Sequence, residues 1–584
     1  MAQSHFQDLL SKLEIPHNNE ALQWVAEQNH RTMGKFTRSG RFQQMQQSIL
    51  GALNNQANIP WGNHYHDIIY NFWQDDNHPR GIWRRTHETS YLTAKPEWEI
   101  VLDIDRLNKD EDANWSYAGE TTDIMVSAWR DHTPGFEKTL VHCSRDFYRS
   151  RIYQLTAPDR LESIDIPEDA SCGFFNAWLL VTLTSDWQTG DITYPAGALL
   201  ATDFIAFQQG QRNFTLLFTP DTHTTLQDYS STRDYLLLNL TRDVVGRVEV
   251  LKTENGQWSS VQTLVLPDFT TISASGINSE SNRYQLVSHG FLQPCSLSYG
   301  DLDACTLFVV KQDPVCFDKT GFKVTQHFAR SRDGTRIPYF QIASKDLAFT
   351  GKHPTLLYGY GGFEVSLTPE YLGAKGSTWL KNGGVYVVAN IRGGGEYGPK
   401  WHQAALKQYR YRAYEDFAAV ANDLIRRGVT CSARLAAQGG SNGGLLTGNM
   451  LTDYPTLFGA LICEVPLLDM TNYHRWLAGS SWIAEYGDPD VAEERQWLQG
   501  FSPFDKISVD KCYPPVLFTT GTQDDRVSPA HARKMVARMQ QQGHKNVWLY
   551  EETDAGHGSS PENSQIAFSH AMTEEFLWQM LTNQ

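Results

Sequence analysis

The sequence predicts an α/β domain with a mostly parallel, doubly wound sheet at the C-terminal end, an all-β domain in the middle and a helical segment at the start. At 584 residues the chain is too long for a single domain. Short strand-like runs between turn residues recur from about residue 65 to 315, whereas strand and helix patterns alternate from about residue 320 onwards. We therefore divide the chain into 1–65, 66–318 and 319–584.

The first segment carries apolar residues at helical spacing. Two apolar faces show it: Ala21, Trp24 and Val25, and then Phe42, Met45, Ile49 and Leu53. Residues three or four apart lie on one side of a helix. We therefore expect helices in this segment.

The middle domain shows strand patterns only. Its short apolar or alternating runs are 67–72, 98–104, 123–129, 151–155, 178–183, 214–218, 235–240, 247–252, 261–266 and 307–310. No helix is predicted among them. Evenly spaced short strands are typical of a sandwich, a barrel or a propeller. Because the sequence shows no clear internal repeat, periodicity does not choose among the three.

The C-terminal domain alternates strands with amphipathic helices. The predicted strands are 355–358, 385–389, 460–463, 516–519 and 547–550. One helical pattern carries Phe417 and ends near Gly428, a second begins at Ser528 and stops at Gly543, and a last one spans 566–581. Such alternation indicates a mostly parallel sheet with helices on its faces.

Composition excludes several function classes. The net charge of −16 and the absence of a Lys/Arg run argue against nucleic-acid binding. The eight cysteines are scattered and form no C-x-x-C pair, so neither a zinc site nor a redox motif is expected. The start of the chain lacks the pattern of a secretory leader, and no run of 18 apolar residues occurs. We expect a cytoplasmic protein that does not bind membranes.

Residues 439–444 read Gly-Gly-Ser-Asn-Gly-Gly and lie between an apolar run and a helical pattern. A G-x-S-x-G between a strand and a helix is the nucleophile elbow of α/β-hydrolases. The turn is crowded, and glycines avoid the clashes that a Cβ would cause. Ser441 is therefore the candidate nucleophile. The short pattern also occurs by chance, so its partners must support it.

A serine nucleophile needs a base and a group that orients the base, in the chain order Ser, acid, His for this fold. Asp524 follows the predicted strand 516–519, and His557 follows the predicted strand 547–550. Either residue alone could be an ordinary loop residue. Their common order and placement predict a Ser441–His557–Asp524 triad.

The oxyanion of an acyl-transfer reaction needs two hydrogen-bond donors. The elbow geometry makes the backbone N–H of Asn442 the first donor. The second is expected on an earlier strand-to-helix loop, and 357–363 is such a loop.

Four motifs together resemble the prolyl oligopeptidase family of serine peptidases. They are Gly359-Tyr360-Gly361-Gly362-Phe363, Asn390-Ile391-Arg392-Gly393-Gly394-Gly395-Glu396-Tyr397-Gly398, the 439–444 elbow and Asp524-Asp525-Arg526-Val527. The resemblance is dense over 320–584 and looser before that. It implies an α/β-hydrolase domain built from both chain ends, on which the segment 1–65 packs, and a β-propeller that caps the active site.

The resemblance also implies residue roles. Tyr360 matches the tyrosine that supplies the second oxyanion donor, and Arg526 matches the arginine that binds a substrate carbonyl. Four residues match the pocket for the residue before the cleaved bond: Phe363, Trp497, Phe501 and Val527. Trp497 would stack on a proline ring. The family's usual tyrosine at one of these positions is Phe501 here.

The trypsin-like branch of the family binds Arg or Lys through acidic residues just before a Glu-Trp-Gly segment. Here Trp482 and Ala484 stand at those positions, ahead of Glu485-Tyr486-Gly487. The resemblance therefore implies cleavage after proline rather than after Arg or Lys.

The chain departs from the family in length. Family propellers usually have seven blades, and their chains are about a hundred residues longer. Region 65–315 has room for about five blades, and we place the missing two near 118–125, just after the blade-like run 115–119. The expectation is a propeller of fewer than seven blades, smaller or imperfectly closed, with altered gating.

The leading hypothesis is a peptidase that cleaves short peptides after proline through an acyl-enzyme, with no metal or organic cofactor and with a monomer favoured. An acylaminoacyl peptidase or esterase with the same triad is the first alternative. A propeller interaction protein with a silent hydrolase domain is the second, and the intact Ser441, Asp524 and His557 argue against it.

Overall fold

The computed structural model describes residues 2–65, 67–113, 126–266, 269–558 and 560–582. Three helices begin the chain: α1 (Ala2–Leu13), α2 (Asn19–Phe36) and α3 (Gly40–Leu53). The side chain of Asn18 accepts the backbone N–H groups of Glu20 and Ala21 at the start of α2, and Ser39 caps α3 in a similar way. These caps satisfy donors that a helix start leaves without partners. These three helices lie within the segment for which the sequence predicts helices.

The middle of the chain folds into small antiparallel sheets. The first two sheets comprise β1 (Gly62–Tyr65), β2 (Ile68–Asp75), β3 (His78–His87) and β4 (Glu99–Asp103), and then β5 (Val126–Asp131), β6 (Lys138–Ser144), β7 (Ser150–Ala157) and β8 (Arg160–Ser163). The third comprises β9 (Ser171–Phe175), β10 (Trp178–Thr182), β13 (Leu199–Asp203) and β14 (Thr215–Phe218), with a separate hairpin of β11 (Trp187–Thr189) and β12 (Ile192–Tyr194). The last two comprise β15 (Thr224–Ser231), β16 (Tyr235–Arg242), β17 (Val245–Glu254) and β18 (Gln257–Val265), and then β19 (Thr270–Gly276), β20 (Arg283–Gly290), β21 (Gln293–Asp301) and β22 (Thr306–Gln312).

Apolar clusters between successive sheets arrange them as a propeller. Leu140 of the second sheet packs with Leu179 of the third, and Leu199 of the third packs with Leu238 of the fourth. A further cluster joins the fourth and fifth sheets, and Leu297 of the fifth packs with Ile69 of the first, which brings the two ends of the region together. Radially packed four-stranded sheets define a β-propeller. The described residues form five blades, which confirms a propeller of fewer than seven.

The predicted site of the missing blades, near 118–125, and the run 115–119 lie outside the described residues. The strand patterns predict no helix in the middle domain, and this prediction is wrong. Short helices α4 (Glu88–Tyr91), α5 (Ile104–Glu111) and α6 (Phe204–Gln208) interrupt the strands. The side chain of Asp103 accepts the N–H of Arg106 and begins α5, whereas the sequence pattern extended the preceding strand to residue 104.

The C-terminal domain is built on one eight-stranded sheet. Its strands are β23 (Phe322–Arg330), β24 (Arg336–Ser344), β25 (Thr355–Gly359), β26 (Val385–Ala389), β27 (Leu435–Gly440), β28 (Ala460–Glu464), β29 (Val516–Gly521) and β30 (Val547–Glu552). They lie in the order β23-β24-β26-β25-β27-β28-β29-β30, and every pair from β26 onwards in that order is parallel. This is the α/β-hydrolase sheet, as predicted.

Helices connect these strands and cover the sheet. The α-helices are α7 (Gly373–Thr378), α8 (Pro399–Gln403), α9 (Tyr411–Arg426), α10 (Asn442–Asp453), α11 (Ile483–Tyr486), α12 (Ala492–Gly500), α13 (Pro503–Lys506), α14 (Ala530–Gln541) and α15 (Asn563–Thr582). Short 3-10 turns lie at Leu380–Asn382, Lys407–Tyr409, Ser432–Arg434, Pro455–Leu457, Tyr473–Arg475 and Leu477–Trp482.

The two faces of the sheet carry separate apolar cores. Leu357 of β25 packs with α9, α10 and α14 on one face, whereas its neighbour Leu356 packs with α2, α3 and α15 on the other. Successive strand residues point to opposite faces, which explains the division. The interior strand β26 is buried along its whole length, as expected of a strand whose sheet is covered on both faces.

The N-terminal helices lie against the C-terminal domain. The side chain of Asn29 in α2 donates to the carbonyl of Glu551 at 2.7 Å and accepts its N–H at 2.8 Å, so α2 is fixed to the edge strand β30. Strand β1 pairs with β2 and belongs to the first blade, although it precedes the predicted boundary at residue 65. The boundaries 1–65, 66–318 and 319–584 stay a prediction. Across the ranges that the structure describes, no helix is long and apolar enough to cross a membrane.

Candidate active site

Ser441 lies between strand β27 and helix α10, as the sequence predicts. Its backbone adopts φ 57° and ψ −116°, a region that side chains rarely occupy outside such turns. A Cβ on Gly439 would lie 2.4 Å from the carbonyl oxygen of Gly443, and one on Gly443 would lie 2.7 Å from the carbonyl oxygen of Gly359. The two glycines are therefore required for the elbow to form.

The structure brings Ser441, His557 and Asp524 together. The Nε2 atom of His557 lies 3.1 Å from the Oγ of Ser441, and its Nδ1 lies 2.8 Å from the Oδ2 of Asp524. Asp524 follows β29 and His557 follows β30, so both lie at the carboxyl edge of the sheet, where ligands of such folds bind. The distances allow proton transfer between the hydroxyl and the imidazole.

Backbone groups fix the carboxylate of Asp524. Its Oδ1 accepts the N–H groups of Arg526 and Val527, both at 2.9 Å, which leaves Oδ2 to the imidazole of His557. The side chain of Asp524 is buried. A carboxylate held in this way orients the ring and stabilises its cation.

Two hydrogen-bond donors lie next to Ser441. The backbone N–H of Asn442 is at the start of α10, where helix N–H groups have no partner within the helix. Tyr360 follows β25 and lines the same cavity as Ser441. Burial, together with the nearby charge of Glu485, raises the pKa of Tyr360 to about 12, so the phenol stays a donor at neutral pH. The side chain of Asn442 donates to the carbonyl of Tyr360 at 2.7 Å and joins the two loops.

A cavity of about 250 Å³ opens in front of Ser441. Its walls are Phe147, Tyr360, Phe363, Val365, Ser441, Leu467, Trp482, Arg526 and His557. Among these residues, none carries a carboxylate. Arg526 is exposed and, over the described ranges, forms no ion pair with a carboxylate, so its guanidinium is free to bind a ligand.

The predicted pocket residues divide into two groups. Phe363 and Arg526 line the cavity, whereas Trp497, Phe501 and Val527 are not among its lining residues. Trp497 donates its indole N–H to the carbonyl of Tyr486 at 3.2 Å, and the ring of Tyr486 lies 5.6 Å from that of Phe363. Phe501 and Val527 are buried in the hydrophobic core of the catalytic domain. The substrate-binding roles of these three residues stay predictions.

Sequence reasoning missed several cavity residues. Phe147 comes from the hairpin between β6 and β7 of the propeller, and its ring lies 5.2 Å from that of Phe363. Nothing in the local pattern separates it from other exposed aromatic residues. For Trp482 a signal exists, because its position matches an acidic specificity residue of the trypsin-like branch and such a residue contacts the substrate. The indole now forms part of the cavity wall.

A buried ionic cluster supports the cavity from behind. Glu485 binds Arg410 at 2.8 Å and His402 at 2.7 Å, and all three side chains are buried. Burial alone would raise the pKa of Glu485, but the charge of Arg410 and the hydrogen bond from His402 lower it to about 2. Arg410 also binds the side chain of Asn442. The carboxylate of Glu485 is thus committed to internal partners and does not face the ligand.

Comparisons with known proteins agree with this arrangement. Residues 372–584 match the prolyl oligopeptidase family, and residues 3–125 match its N-terminal beta-propeller domain. An uncharacterized peptidase of Sinorhizobium fredii is 32% identical over 96% of this chain and 92% of its own length. The chain belongs to the prolyl oligopeptidase family. It is therefore a serine peptidase that acts on peptides.

A further sequence relative and a solved structure are also similar to this chain. A prolyl endopeptidase of Elizabethkingia miricola is 36% identical over 53% of this chain and 44% of its own length. The solved structure of a post-proline cleaving enzyme from Rickettsia typhi superposes with a TM-score of 0.91 and 28% identity, over 98% of this chain and 99% of that one. The alignment with the Sinorhizobium peptidase spans 668 positions, so that family member contains segments that this 584-residue chain lacks.

Proposed function

We propose that the protein cleaves short peptides on the carboxyl side of proline through an acyl-enzyme at Ser441. The observation that carries the proposal is the cavity in front of Ser441, which is lined by aromatic and apolar side chains and by no carboxylate. A proline side chain is compact and uncharged, and it packs well against aromatic surfaces. An arginine or lysine in the same cavity would bury a cation without a partner, which is costly.

The first half of the reaction would form the acyl-enzyme. Ser441 Oγ attacks the carbonyl carbon of the scissile bond while Nε2 of His557 takes the hydroxyl proton. The negative oxygen of the tetrahedral intermediate accepts hydrogen bonds from the N–H of Asn442 and the phenol of Tyr360. The C–N bond then breaks as His557 returns its proton to the leaving amine.

The second half would release the acid. Water attacks the acyl carbon, His557 accepts a proton from the water, and the C–O bond to Ser441 breaks as the proton returns to Oγ. Throughout, Asp524 stabilises the imidazolium form of His557. Every step uses groups of the chain and water.

Arg526 would hold the substrate backbone. Its guanidinium lines the cavity, and its backbone N–H binds Asp524, which ties the binding residue to the triad. A guanidinium offers several donors in a fixed plane and suits a peptide carbonyl. The propeller wall at Phe147 limits the space above Ser441, which favours short peptides over folded proteins.

The first test is a panel of prolyl, alanyl and arginyl peptides with a chromogenic leaving group. We expect the prolyl peptide to be hydrolysed at least tenfold faster than the others in kcat/KM. The Ser441→Ala variant should lose all measurable hydrolysis and all labelling by a fluorophosphonate, because both require the nucleophile. Equal or faster hydrolysis of the arginyl peptide would refute the proline preference.

Two further outcomes separate the alternatives. Release of acetylated amino acids in place of internal cleavage would identify an acylaminoacyl peptidase with the same triad. A wild-type protein that fluorophosphonate does not label would support a catalytically silent propeller protein. The cytoplasmic location and the monomeric state stay predictions, which fractionation of cells and light scattering can test.

A further inference from the structure

One propeller hairpin reaches into the catalytic domain. Residues 145–149 connect β6 to β7, and Asp146 accepts the backbone N–H groups of Tyr148 and Arg149, both at 2.9 Å. Arg149 also forms an ion pair with Asp146 at 2.6 Å. The two backbone hydrogen bonds to Asp146 fix the loop, whereas the exposed Arg149 ion pair adds little to its stability. The loop presents the rings of Phe147 and Tyr148 with their centroids 5.1 Å apart.

The side chain of Tyr148 contacts the buried ionic cluster of Glu485, Arg410 and His402 in the catalytic domain. Its hydroxyl donates to Oε2 of Glu485 at 2.5 Å and lies 3.3 Å from Nε2 of His402, whose ring is 5.2 Å from the phenol ring. Glu485 has no exposed surface, and His402 is almost fully buried. A residue of the propeller therefore completes a polar cluster that belongs to the catalytic domain.

Glu485 uses both carboxylate oxygens, each for two donors. Oε1 accepts the N–H of Phe363 at 3.1 Å and a guanidinium N–H of Arg410 at 2.8 Å. Oε2 binds His402 and Tyr148. A carboxylate offers about four acceptor positions. Glu485 has all four hydrogen-bond donors only when the hairpin that carries Tyr148 is docked.

The contact at Phe363 matters because its backbone is strained. Phe363 and Glu364 adopt φ values of 54° and 58°, which residues other than glycine rarely do. The ring of Phe363 forms a wall of the active-site cavity. The bond from its N–H to Glu485 thus holds a strained segment in the shape that the cavity requires.

We infer that Tyr148 is a positioning residue for peptide hydrolysis, coupling propeller docking to the shape of the substrate cavity through Glu485 and Phe363. The inference rests on the proposed function. With the hairpin withdrawn, Glu485 would lose one donor from Oε2, and the remaining partners would have to rearrange around a buried charge. Docking of the hairpin and correct placement of Phe363 therefore stabilise each other.

The test compares Tyr148→Phe with Arg149→Gln. The phenylalanine keeps the ring that packs on His402 and removes only the hydroxyl. Arg149 is exposed on the same hairpin, and within the described ranges the ion pair of its guanidinium is with Asp146, so its variant controls for a general effect on the loop. Two rates are measured for each protein: kcat/KM for a prolyl peptide, and labelling of Ser441 by a small fluorophosphonate.

We expect Tyr148→Phe to lower kcat/KM about tenfold, mainly through KM, because bound peptide adds contacts that help to hold the docked wall. The labelling rate should stay within twofold of wild type, because Tyr148 contacts no residue of the triad and the small probe does not depend on the cavity wall. Arg149→Gln should change neither rate. All assays are run at temperatures at which melting curves show each variant to be folded.

Three results would overturn the inference. Peptide hydrolysis by Tyr148→Phe within twofold of wild type would show that the hydroxyl is dispensable. An equal fall in labelling would place its effect on the triad rather than the cavity. A similar loss in Arg149→Gln would make the effect one of loop structure. If the wild type neither hydrolyses nor labels, the proposed function fails, and the inference that depends on it fails too.

Discussion

The two walls of the active-site cavity come from regions that are built differently. Ser441, Asp524 and His557 lie on turns that follow β27, β29 and β30, which belong to one sheet with the local strand order β27-β28-β29-β30. Phe147 and its neighbour Tyr148 lie at the tip of a propeller hairpin, and they meet the catalytic domain only because the two domains pack together. The sheet therefore fixes the reacting atoms within one cooperative core, whereas the propeller supplies surface that depends on docking.

Because of this difference, we expect substitutions in the two regions to change different kinetic constants. In the proposed mechanism, groups on the sheet turns contact the reacting atoms, so changes there should act on kcat. Groups on the hairpin contact the bound peptide or the cavity wall, so changes there should act mainly on KM. The predictions below test this division, in order of decreasing effect.

The largest effect is expected for Asp524→Asn. The amide would no longer stabilise the imidazolium of His557 and would favour the wrong tautomer, because its nitrogen cannot accept the proton on Nδ1. We expect kcat to fall by about 10³- to 10⁴-fold with little change in KM, measured with a prolyl chromogenic peptide. The exposed neighbour Asp525 offers a matched control, and Asp525→Asn should remain within threefold of wild type. A loss of less than tenfold in Asp524→Asn would refute its role in the triad.

A smaller loss is expected for Tyr360→Phe. The ring still fills its place, but the hydroxyl proposed as the second oxyanion donor is removed from the cavity that it shares with Ser441. Loss of one such donor lowers kcat by about 10²- to 10³-fold. Because the donor acts on charge that develops during the reaction, kcat and kcat/KM should fall together. Tyr358→Phe, on the preceding strand, is the control and should retain activity. An increase in KM alone would contradict the assignment.

The same division explains how much the sequence could predict. The elbow and the two partner loops follow strands with clear apolar patterns, so local sequence places Ser441, Asp524 and His557 at one edge of a sheet. The propeller class was open from periodicity alone, because blades of similar shape need not share a sequence repeat. Helix α5 was missed because its start depends on the single side chain of Asp103.

Residues that act across the domain boundary could not be predicted at all. Phe147 and Tyr148 lie in a short hairpin whose sequence suggests only a turn, and Glu485 lies more than 300 positions further along the chain. Their contact depends on the relative placement of two domains, which no local pattern encodes. Trp497 shows the limit of a motif match, because the match predicts a pocket role, the residue is not among those that line the cavity, and the role stays a prediction.

The smallest effect is expected for Phe147→Ala, and it tests the propeller side of the comparison. The ring lines the cavity, packs against Phe363 and is 41% exposed, so its removal opens the wall without leaving a void in a core. Loss of an aromatic contact of this kind costs about 0.5–1.5 kcal/mol of binding, which corresponds to a rise in KM of roughly two- to thirteenfold. The value of kcat should change by less than twofold, because no triad contact is altered.

Phe136→Ala is the matched control for Phe147→Ala. Phe136 belongs to the same sheet and is 38% exposed, but it lies in the turn between β5 and β6, at the opposite end of the strands from the β6–β7 hairpin. Its removal should leave both constants unchanged. The proposed division, in which the sheet turns act in catalysis and the propeller wall acts in substrate binding, would be wrong in either of two cases. In the first, Phe147→Ala lowers kcat by as large a factor as it raises KM. In the second, Phe147→Ala and Phe136→Ala have the same effect on both constants. A rise in KM confined to Phe147→Ala would instead show that the propeller contributes to substrate binding from the end of the sheet that faces Ser441.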